Sequence, residues 1–310
     1  MFNTISRYIL SRTTRFSNYA IQLAADCKAN GHYSRSANYL TAIRSFTKAV
    51  GELSLNKIDK TVLAHYQEWM HRQGICDNTV SCYNRTLRAI YNKAVDEKLV
   101  TDHHPFEACF MGTMKTDKRS IDEQCIAQLK YADLSRHKEL IPTRDFFLFS
   151  FYTMGMPFVD IAYLKKSQIK DKQIVYRRHK THQIVTVPLC DEALHIINIY
   201  NAQTLDYVFP LLTSENEAEA YREYCTRLNA YNRAQKRLAK ITGVNIALTS
   251  YTMRHSWASL AYKSNVPLSV ISQALGHTRP DTTMIYIRSL DNAQMQESNN
   301  KVQRLIADYC

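Results

Sequence analysis

Three side chains in the last third of the sequence stand at a spacing that could break and rejoin a phosphodiester bond. Arg254 is followed by His255, the tripeptide Leu-Gly-His ends at His277, and Tyr286 lies nine residues further on. When a phenol attacks a phosphodiester, the non-bridging oxygens gain negative charge, and fixed cationic or N–H donors lower that barrier. A positioned tyrosine is a competent covalent nucleophile. The set therefore predicts strand cleavage through a phosphotyrosine, which conserves the bond energy for rejoining and needs no metal or ATP.

Residues 249–289 carry these side chains in one block. Taken singly, His277 could cap a helix end and Arg254 could be a solvated cation, but their joint spacing resembles the second signature box of the tyrosine recombinases, the phage-integrase family. The resemblance implies that Arg254 is the second catalytic arginine, that His277 activates or stabilises the phosphate, and that Tyr286 is the nucleophile. Tyr251 stands where the family most often has His or Lys, and its hydroxyl can bond a phosphate oxygen without charge.

A β-hairpin is predicted upstream of this block. Two runs of alternating, β-branched residues, 174–176 and 184–187, flank a polar centre with Lys180 at or near its tip. In the family that this chain resembles, a lysine on such a hairpin protonates the departing 5′-oxygen, and Lys180 is expected to do the same. Thr181 matches the family pattern, whereas His182 stands where the family has Gly.

The first signature box of the family departs from its usual form here. That box has Gly-x-Arg followed closely by an acidic residue, and this chain has Gly155, Met156, Pro157 and then Asp160. Neither Met156 nor Pro157 can donate a side-chain hydrogen bond to a phosphate. Losing one such donor costs on the order of 10²–10³ in rate, so an active enzyme needs another cation.

Three arginines are candidates for that substitute. Arg144 precedes the Gly155 turn on the same apolar stretch, and Arg177 and Arg178 lie on the predicted hairpin. The sequence does not decide among them, and Arg144 is taken as the first to test because its helix leads into the turn.

The composition favours a polyanionic partner. Lys and Arg number 40 against 28 Asp and Glu, a net charge of +12, which favours binding to double-stranded DNA with salt-sensitive affinity. Charge alone would not separate nucleic acid from an anionic membrane, but no run approaches the length of an apolar span and the N-terminus lacks a signal-peptide core. We expect no membrane association and a cytoplasmic protein acting at the bacterial nucleoid.

The eight cysteines never form a C-x-x-C pair. Such scattering favours reduced thiols over a zinc site or a disulfide framework. The nearest approach to a ligand cluster is His103 and His104 with Cys109, and we predict neither a metal nor another cofactor.

Two domains are predicted from the length and the periodicity. Residues 1–104 form a helical domain with apolar spacing at 15–30, 36–50, 60–73 and 79–96, residues 105–119 form a linker, and residues 120–310 form the catalytic domain. The first domain resembles the SAM-like core-binding domain of the family. On the helix at 79–96, the face opposite the apolar stripe is predicted to contact DNA; it carries Ser81, Asn84, Arg85 and Arg88.

The fold class expected is mainly α with a small β-sheet. In the second domain, helices are predicted at 121–140, 143–154, 191–200 and 219–241, and a tail helix lies around 302–306. The resemblance implies a homotetramer on two paired recombination sites, with the tail packed on a neighbouring protomer.

The function predicted is site-specific DNA recombination of the invertase or integrase type. A type IB topoisomerase uses similar chemistry but fits the helical N-terminal part less well. Two alternatives remain open in which the protein binds DNA without cleaving it. One is a decayed recombinase, because of Pro157, and the other is a regulator with a helix-turn-helix formed by the residues around Gly276. Trapping of a phosphotyrosine on nicked DNA separates both from the enzyme.

Overall fold

The computed structural model describes residues 14–114, 120–204, 206–277 and 280–284, together with 296, 299, 300, 303 and 304. The chain divides into two compact units, Met1–Thr116 and Asp117–Cys310. The predicted tail helix falls largely outside the described residues.

The first unit is built from four helices. They are α1 (Phe16–Ala29), α2 (Tyr33–Val50), α3 (Lys60–Arg72) and α4 (Asp77–Asp96), which confirms the four predicted segments to within three residues. Each helix turns an apolar stripe inward, and the aromatic rings of Phe16, Phe46 and Tyr66 meet edge to face in the core. The Asp59 side chain accepts the Val62 N–H and so caps α3.

The first unit continues past residue 104. Phe106 is 5% exposed and packs in the same core against Tyr91. The carbonyls of Phe110 and Gly112 accept hydrogen bonds from side chains of α4. Much of the segment predicted as a linker therefore belongs to the first unit, because Pro105 and Gly112 interrupt the helical periodicity without ending the packed core.

The second unit combines helices with one small sheet. Its described helices are α5 (Glu123–Lys130), α6 (Ile141–Tyr152), α7 (Phe158–Ala162), α8 (Asp191–Tyr200), α9 (Glu217–Thr242), α10 (Thr252–Lys263), α11 (Leu268–Ala274) and α12 (Pro280–Met284). The single helix predicted over 121–140 is wrong. The helix ends at Lys130, and the Asp133 carboxylate accepts the Ser135 N–H in a local turn that competes with helix.

The sheet contains the predicted hairpin. Strands β1 (Ile169–Lys170), β2 (Gln173–Arg177) and β3 (Ile184–Pro188) pair antiparallel in that order. Tyr176 pairs with Val185, and both side chains are buried. This alternation fixes one face of β2 toward the core.

Helix α6 is the centre of the second unit. It is buried on nearly all sides, with Phe146 and Phe149 packed against Phe209 at ring-centroid distances of 5.2 and 4.8 Å. The helix ends at Tyr152, and the turn that follows brings Gly155 against α10. None of the described helices is both long and apolar enough to cross a membrane.

Candidate active site

Arg254 is a buried arginine on the first turn of α10. Its side chain is 2% exposed, and its Nη1 donates to the carbonyl oxygen of Gly155 at 2.9 Å. Its Nη2 donates to the carbonyl of Leu275, just after α11. Backbone oxygens from two other segments thus fix the guanidinium plane.

Gly155 is required where it stands. Its φ of +73° lies in the left-handed region, and a Cβ there would sit 3.0 Å from the Cα of Arg254. Only glycine meets both conditions without strain. The first-box glycine therefore permits the close approach that gives Arg254 its carbonyl partner.

His277 lies beside Arg254 and is neutral at pH 7. Its Nε2 is 3.1 Å from Arg254 Nη2, and its Nδ1 is 2.9 Å from the hydroxyl of Thr283 on α12. Burial, followed by the charges of Arg254, Arg178 and Lys180, lowers the pKa of His277 to about 4. Because a guanidinium can only donate, Nε2 accepts and Nδ1 carries the proton toward Thr283.

Arg178 joins the same cluster from the hairpin. It is 4% exposed, its Nε donates to Asp160 Oδ2 at 3.3 Å, and its Nη1 donates to Leu275 O at 2.6 Å. Asp160 Oδ1 accepts the backbone N–H of His179 at 2.9 Å. The carboxylate of the first box therefore holds both the side chain and the backbone of the hairpin end.

One sequence signal distinguishes Arg178 from the neighbouring Arg177. Side chains two residues apart on a strand share a face, so Arg178 continues the inward row of Ile174 and Tyr176, whereas Arg177 points outward. Arg177 is exposed, and its Nη1 donates to the carbonyl of His182 at 2.7 Å.

Gly276 makes room for Arg178. Its φ is +60°, and a Cβ there would overlap the Cδ of Arg178 and lie 2.9 Å from Val185 Cγ2. The glycine of Leu-Gly-His thus allows the arginine stem to pass between the hairpin and α11.

Lys180 is exposed at the hairpin turn, as predicted. Its charge contributes to lowering the pKa of His277, and the adjacent Thr181 hydroxyl donates to Gly276 O at 3.3 Å. His182, which replaces the family glycine, adopts a left-handed φ of 57°. The turn therefore keeps the left-handed conformation that favours glycine, which destabilises a residue with a side chain, such as His182, by about 1 kcal/mol.

Arg144 does not reach this cluster. It lies on the first turn of α6, and its guanidinium contacts Asp145 at 3.1 Å, beside the Tyr200 hydroxyl bound to that carboxylate. Tyr152 is eight positions further along the helix, or about 12 Å away at the rise of an α-helix. The first choice for the substitute cation is therefore at the opposite end of α6 from Gly155.

The positions of the missing arginine are inward-facing. Met156 is 1% exposed in the core, and Pro157 is buried as the N-cap of α7. Neither offers a side-chain donor, as the sequence indicates.

Tyr251 stands at the N-cap of α10 and is 39% exposed. Tyr286 lies outside the described residues; α12 ends at Met284.

The predicted DNA face of α4 needs correction. Ser81 and Asn84 are 1% and 0% exposed, and they bind the carbonyls of Gly112 and Phe110 at 2.7 and 3.0 Å. Both are therefore internal supports of the first unit, covered by a segment that the helix periodicity does not reveal. Arg85 is exposed, although it donates to Gly112 O at 2.8 Å, and Arg88 is exposed beside a cavity.

The curated relatives and solved structures agree with this architecture. Tyrosine recombinase XerD of Pseudomonas putida is 24% identical over 246 residues, covering 76% of this chain and 78% of the relative. A tyrosine recombinase XerC-like protein of Caldanaerobacter subterraneus is 23% identical over 298 residues, covering 83% and 71%. A lambda integrase dimer bound to a COC′ core site has a TM-score of 0.67 at 14% identity, covering 94% of this chain and 83% of that one.

Two family models match the chain. The phage integrase SAM-like domain matches residues 15–111, which are the helices of the first unit and the segment packed on them. The model of the phage integrase family matches residues 108–293, which hold the Arg254 cluster and the hairpin. Because that second match spans more than half of the sequence, the chain belongs to the phage integrase family.

Proposed function

We propose that this protein is a tyrosine site-specific recombinase that cleaves and rejoins double-stranded DNA through a 3′-phosphotyrosine. The observation that carries the proposal is the contact of Arg254 with His277 at 3.1 Å in a buried, positively charged cluster. Tyr286 follows nine residues later in the sequence. Curated relatives that bear the name tyrosine recombinase support the same chemistry.

Each residue has a defined part in the reaction. The Tyr286 oxygen forms a bond to phosphorus as the bond from phosphorus to the 5′-oxygen breaks. The phenol proton is released to water, because His277 Nε2 already accepts from Arg254 Nη2 at 3.1 Å and its pKa of about 4 makes it a weak base. His277 holds that guanidinium in place and so helps to stabilise the phosphate. Arg254 donates to the non-bridging oxygens as charge develops. Lys180, exposed at the hairpin turn, protonates the departing 5′-oxygen, and Tyr251 adds a neutral donor.

The assembly proposed is a homotetramer on two recombination sites. One solved neighbour is a lambda integrase tetramer bound to a Holliday junction, with a TM-score of 0.67. Exposed Arg85 and Arg88 of the first unit are proposed to contact phosphates, in agreement with the net charge of +12. Such an enzyme would act on DNA in the bacterial nucleoid.

The nucleophile provides the decisive experiment. The probe is a DNA duplex that the protein selects from a randomised pool and that is then nicked near its centre. Cleavage close to the nick releases a short fragment, which diffuses away and cannot be rejoined, so the covalent adduct accumulates. The wild type should form a denaturant-resistant protein–DNA adduct. Tyr286→Phe should bind equally well and form none, since only the nucleophilic oxygen is removed.

Tyr131→Phe is the matched control, because Tyr131 is 77% exposed on the same unit and outside the cluster. It should react like the wild type. An adduct that persists in Tyr286→Phe moves the nucleophile elsewhere. If the wild type binds the duplex but forms no adduct, the protein binds DNA without cleaving it and the proposed function is wrong.

A further inference from the structure

The first signature box retains its acidic residue but lacks its arginine. Asp160 is 3% exposed, and the side chains at positions 156 and 157 cannot donate. A buried carboxylate without a cation is costly. The structure supplies that cation from another element, since Arg178, the residue after β2, pairs with Asp160 at 3.3 Å.

Arg178 and Arg254 converge on one backbone oxygen. Both donate to the carbonyl of Leu275, Arg178 through Nη1 and Arg254 through Nη2. A single acceptor shared by two guanidinium groups places them side by side, and His277 lies on the Arg254 side at 3.1 Å. Guanidinium groups placed side by side can donate to the oxygens of one phosphate.

The charges of the cluster favour an anion. Arg254, Arg178 and Lys180 all act against protonation of His277, so positive potential from three cations converges at its ring. Asp160 is the carboxylate that contacts Arg178. A phosphodiester carries one negative charge, and a site of low solvent access strengthens its attraction to fixed cations.

One end of Arg178 has donors to spare. Its Nε and Nη1 contact Asp160, Leu275 and Gly276. Among the described residues, Nη2 has no hydrogen-bond partner, and the atom is not fully enclosed by protein. The group can therefore remain anchored by two of its nitrogens and offer the third.

We propose that Arg178 contacts the scissile phosphate in place of the arginine that the first box lacks. Asp160 then acts as a positioning residue, which holds the guanidinium through Oδ2 and the hairpin backbone through Oδ1. The inference rests on the proposed recombinase function. In this protein one phosphate donor then lies on the hairpin and not in the turn after α6. The hairpin therefore supplies both the charge-stabilising Arg178 and the general acid Lys180.

The test compares two substrates of the full-length protein. The first is the nicked duplex used for Tyr286, and the second carries a methylphosphonate at the mapped scissile position, where a methyl group replaces one charged oxygen. On the phosphodiester, Arg178→Ala should form the covalent adduct about 10²–10³ more slowly than the wild type. On the uncharged methylphosphonate, the ratio of wild-type to variant rate should shrink to within about tenfold, because there is less charge to stabilise.

Arg178→Lys is tested in parallel, because removing the cation beside buried Asp160 can destabilise the fold. Lysine keeps the charge for Asp160 but cannot reproduce the planar fork, so the same substrate-dependent defect is expected. Arg144→Ala is the matched control: this arginine also pairs with an aspartate in the second unit, away from the cluster. It should react normally on both substrates.

The outcomes separate the two proposals. A wild type that forms no adduct on either substrate overturns the proposed function itself. If the wild type reacts, a normal phosphodiester rate in Arg178→Ala or Arg178→Lys overturns the role of Arg178. An equal defect on both substrates in a folded variant assigns Arg178 to structure alone, and a phosphodiester-specific defect in Arg144→Ala moves the role to that residue.

Discussion

Gly155 and Arg254 hold each other in place. The glycine carbonyl accepts the Arg254 Nη1–H at 2.9 Å, while the absent side chain of Gly155 leaves room for the Arg254 backbone. The turn of the first signature box and the helix of the second signature box are therefore packed together and depend on each other.

Gly155→Ala should both destabilise the second unit and impair cleavage. Alanine at a φ of +73° is strained by about 1–2 kcal/mol, and its Cβ would press on Arg254 at 3.0 Å. Gly243→Ala is the matched control, because it has the same φ of +73° with nothing within 4 Å. Chemical denaturation should show a loss of stability in both variants, with cleavage impaired only in Gly155→Ala. Equal cleavage by the two variants would contradict the proposed interlock.

The secondary structure was largely predictable because its signals are local. The alternation at 174–176 and 184–187 predicts the hairpin, and period-3.6 spacing predicts the helices of the first unit. Placement of single side chains depends on distant segments. Arg178 has room in the core because Gly276 leaves space for its stem, and the buried Asn84 amide donates to the carbonyl of Phe110, 26 residues away. Neither contact is visible from periodicity.

The stability of the second unit should depend on pH through His277. Its pKa is lowered from 6.5 to about 4, so between these values the unfolded chain binds more protons. The stabilising contribution of neutral His277 is present above pH 6.5 and is lost as the pH falls toward 4. Urea denaturation at several pH values should show this decline, and a shallower one in His277→Gln. An unchanged pH slope in that variant would assign the titration to other groups.

Lys180 can be tested by its leaving-group chemistry. Lys180→Ala should slow cleavage of ordinary DNA by about 10²–10⁴, the range of general acid catalysis. A substrate with sulfur at the scissile 5′-bridging position needs no proton to depart, so the variant should approach the wild-type rate on it. Lys170→Ala, at an exposed position on the same sheet, should behave as the wild type on both. A defect of Lys180→Ala that is equal on the two substrates would assign Lys180 to binding.

Two residues of α4 should separate DNA binding from folding. Arg88→Ala should weaken duplex binding and reduce the slope of log Kd against log salt by about one, with unchanged thermal stability. Asn84→Ala should instead destabilise the first unit by about 1–3 kcal/mol, because the half-buried Gln67 side chain and the Phe110 carbonyl each lose a hydrogen bond from the buried Asn84 amide. Salt-dependent binding titrations and denaturation curves distinguish the two effects. An altered salt slope in Asn84→Ala would return that residue to the DNA interface.

Restoring an arginine to the first box should partly rescue the loss of Arg178. Pro157 precedes Asp160 by about one helical turn, and its carbonyl accepts the Asp160 N–H at 2.9 Å. Its φ of −66° and ψ of 151° are open to any L residue. In an Arg178→Ala background, Pro157→Arg therefore offers a new cation to the vacated Asp160 carboxylate and to the phosphate. Adduct formation should recover by about tenfold, part of the 10²–10³ expected to be lost. Pro157→Gln in the same background supplies a polar side chain without charge and should recover less. If Pro157→Gln recovers adduct formation as well as Pro157→Arg does, the positive charge of the new side chain is not the cause of the rescue.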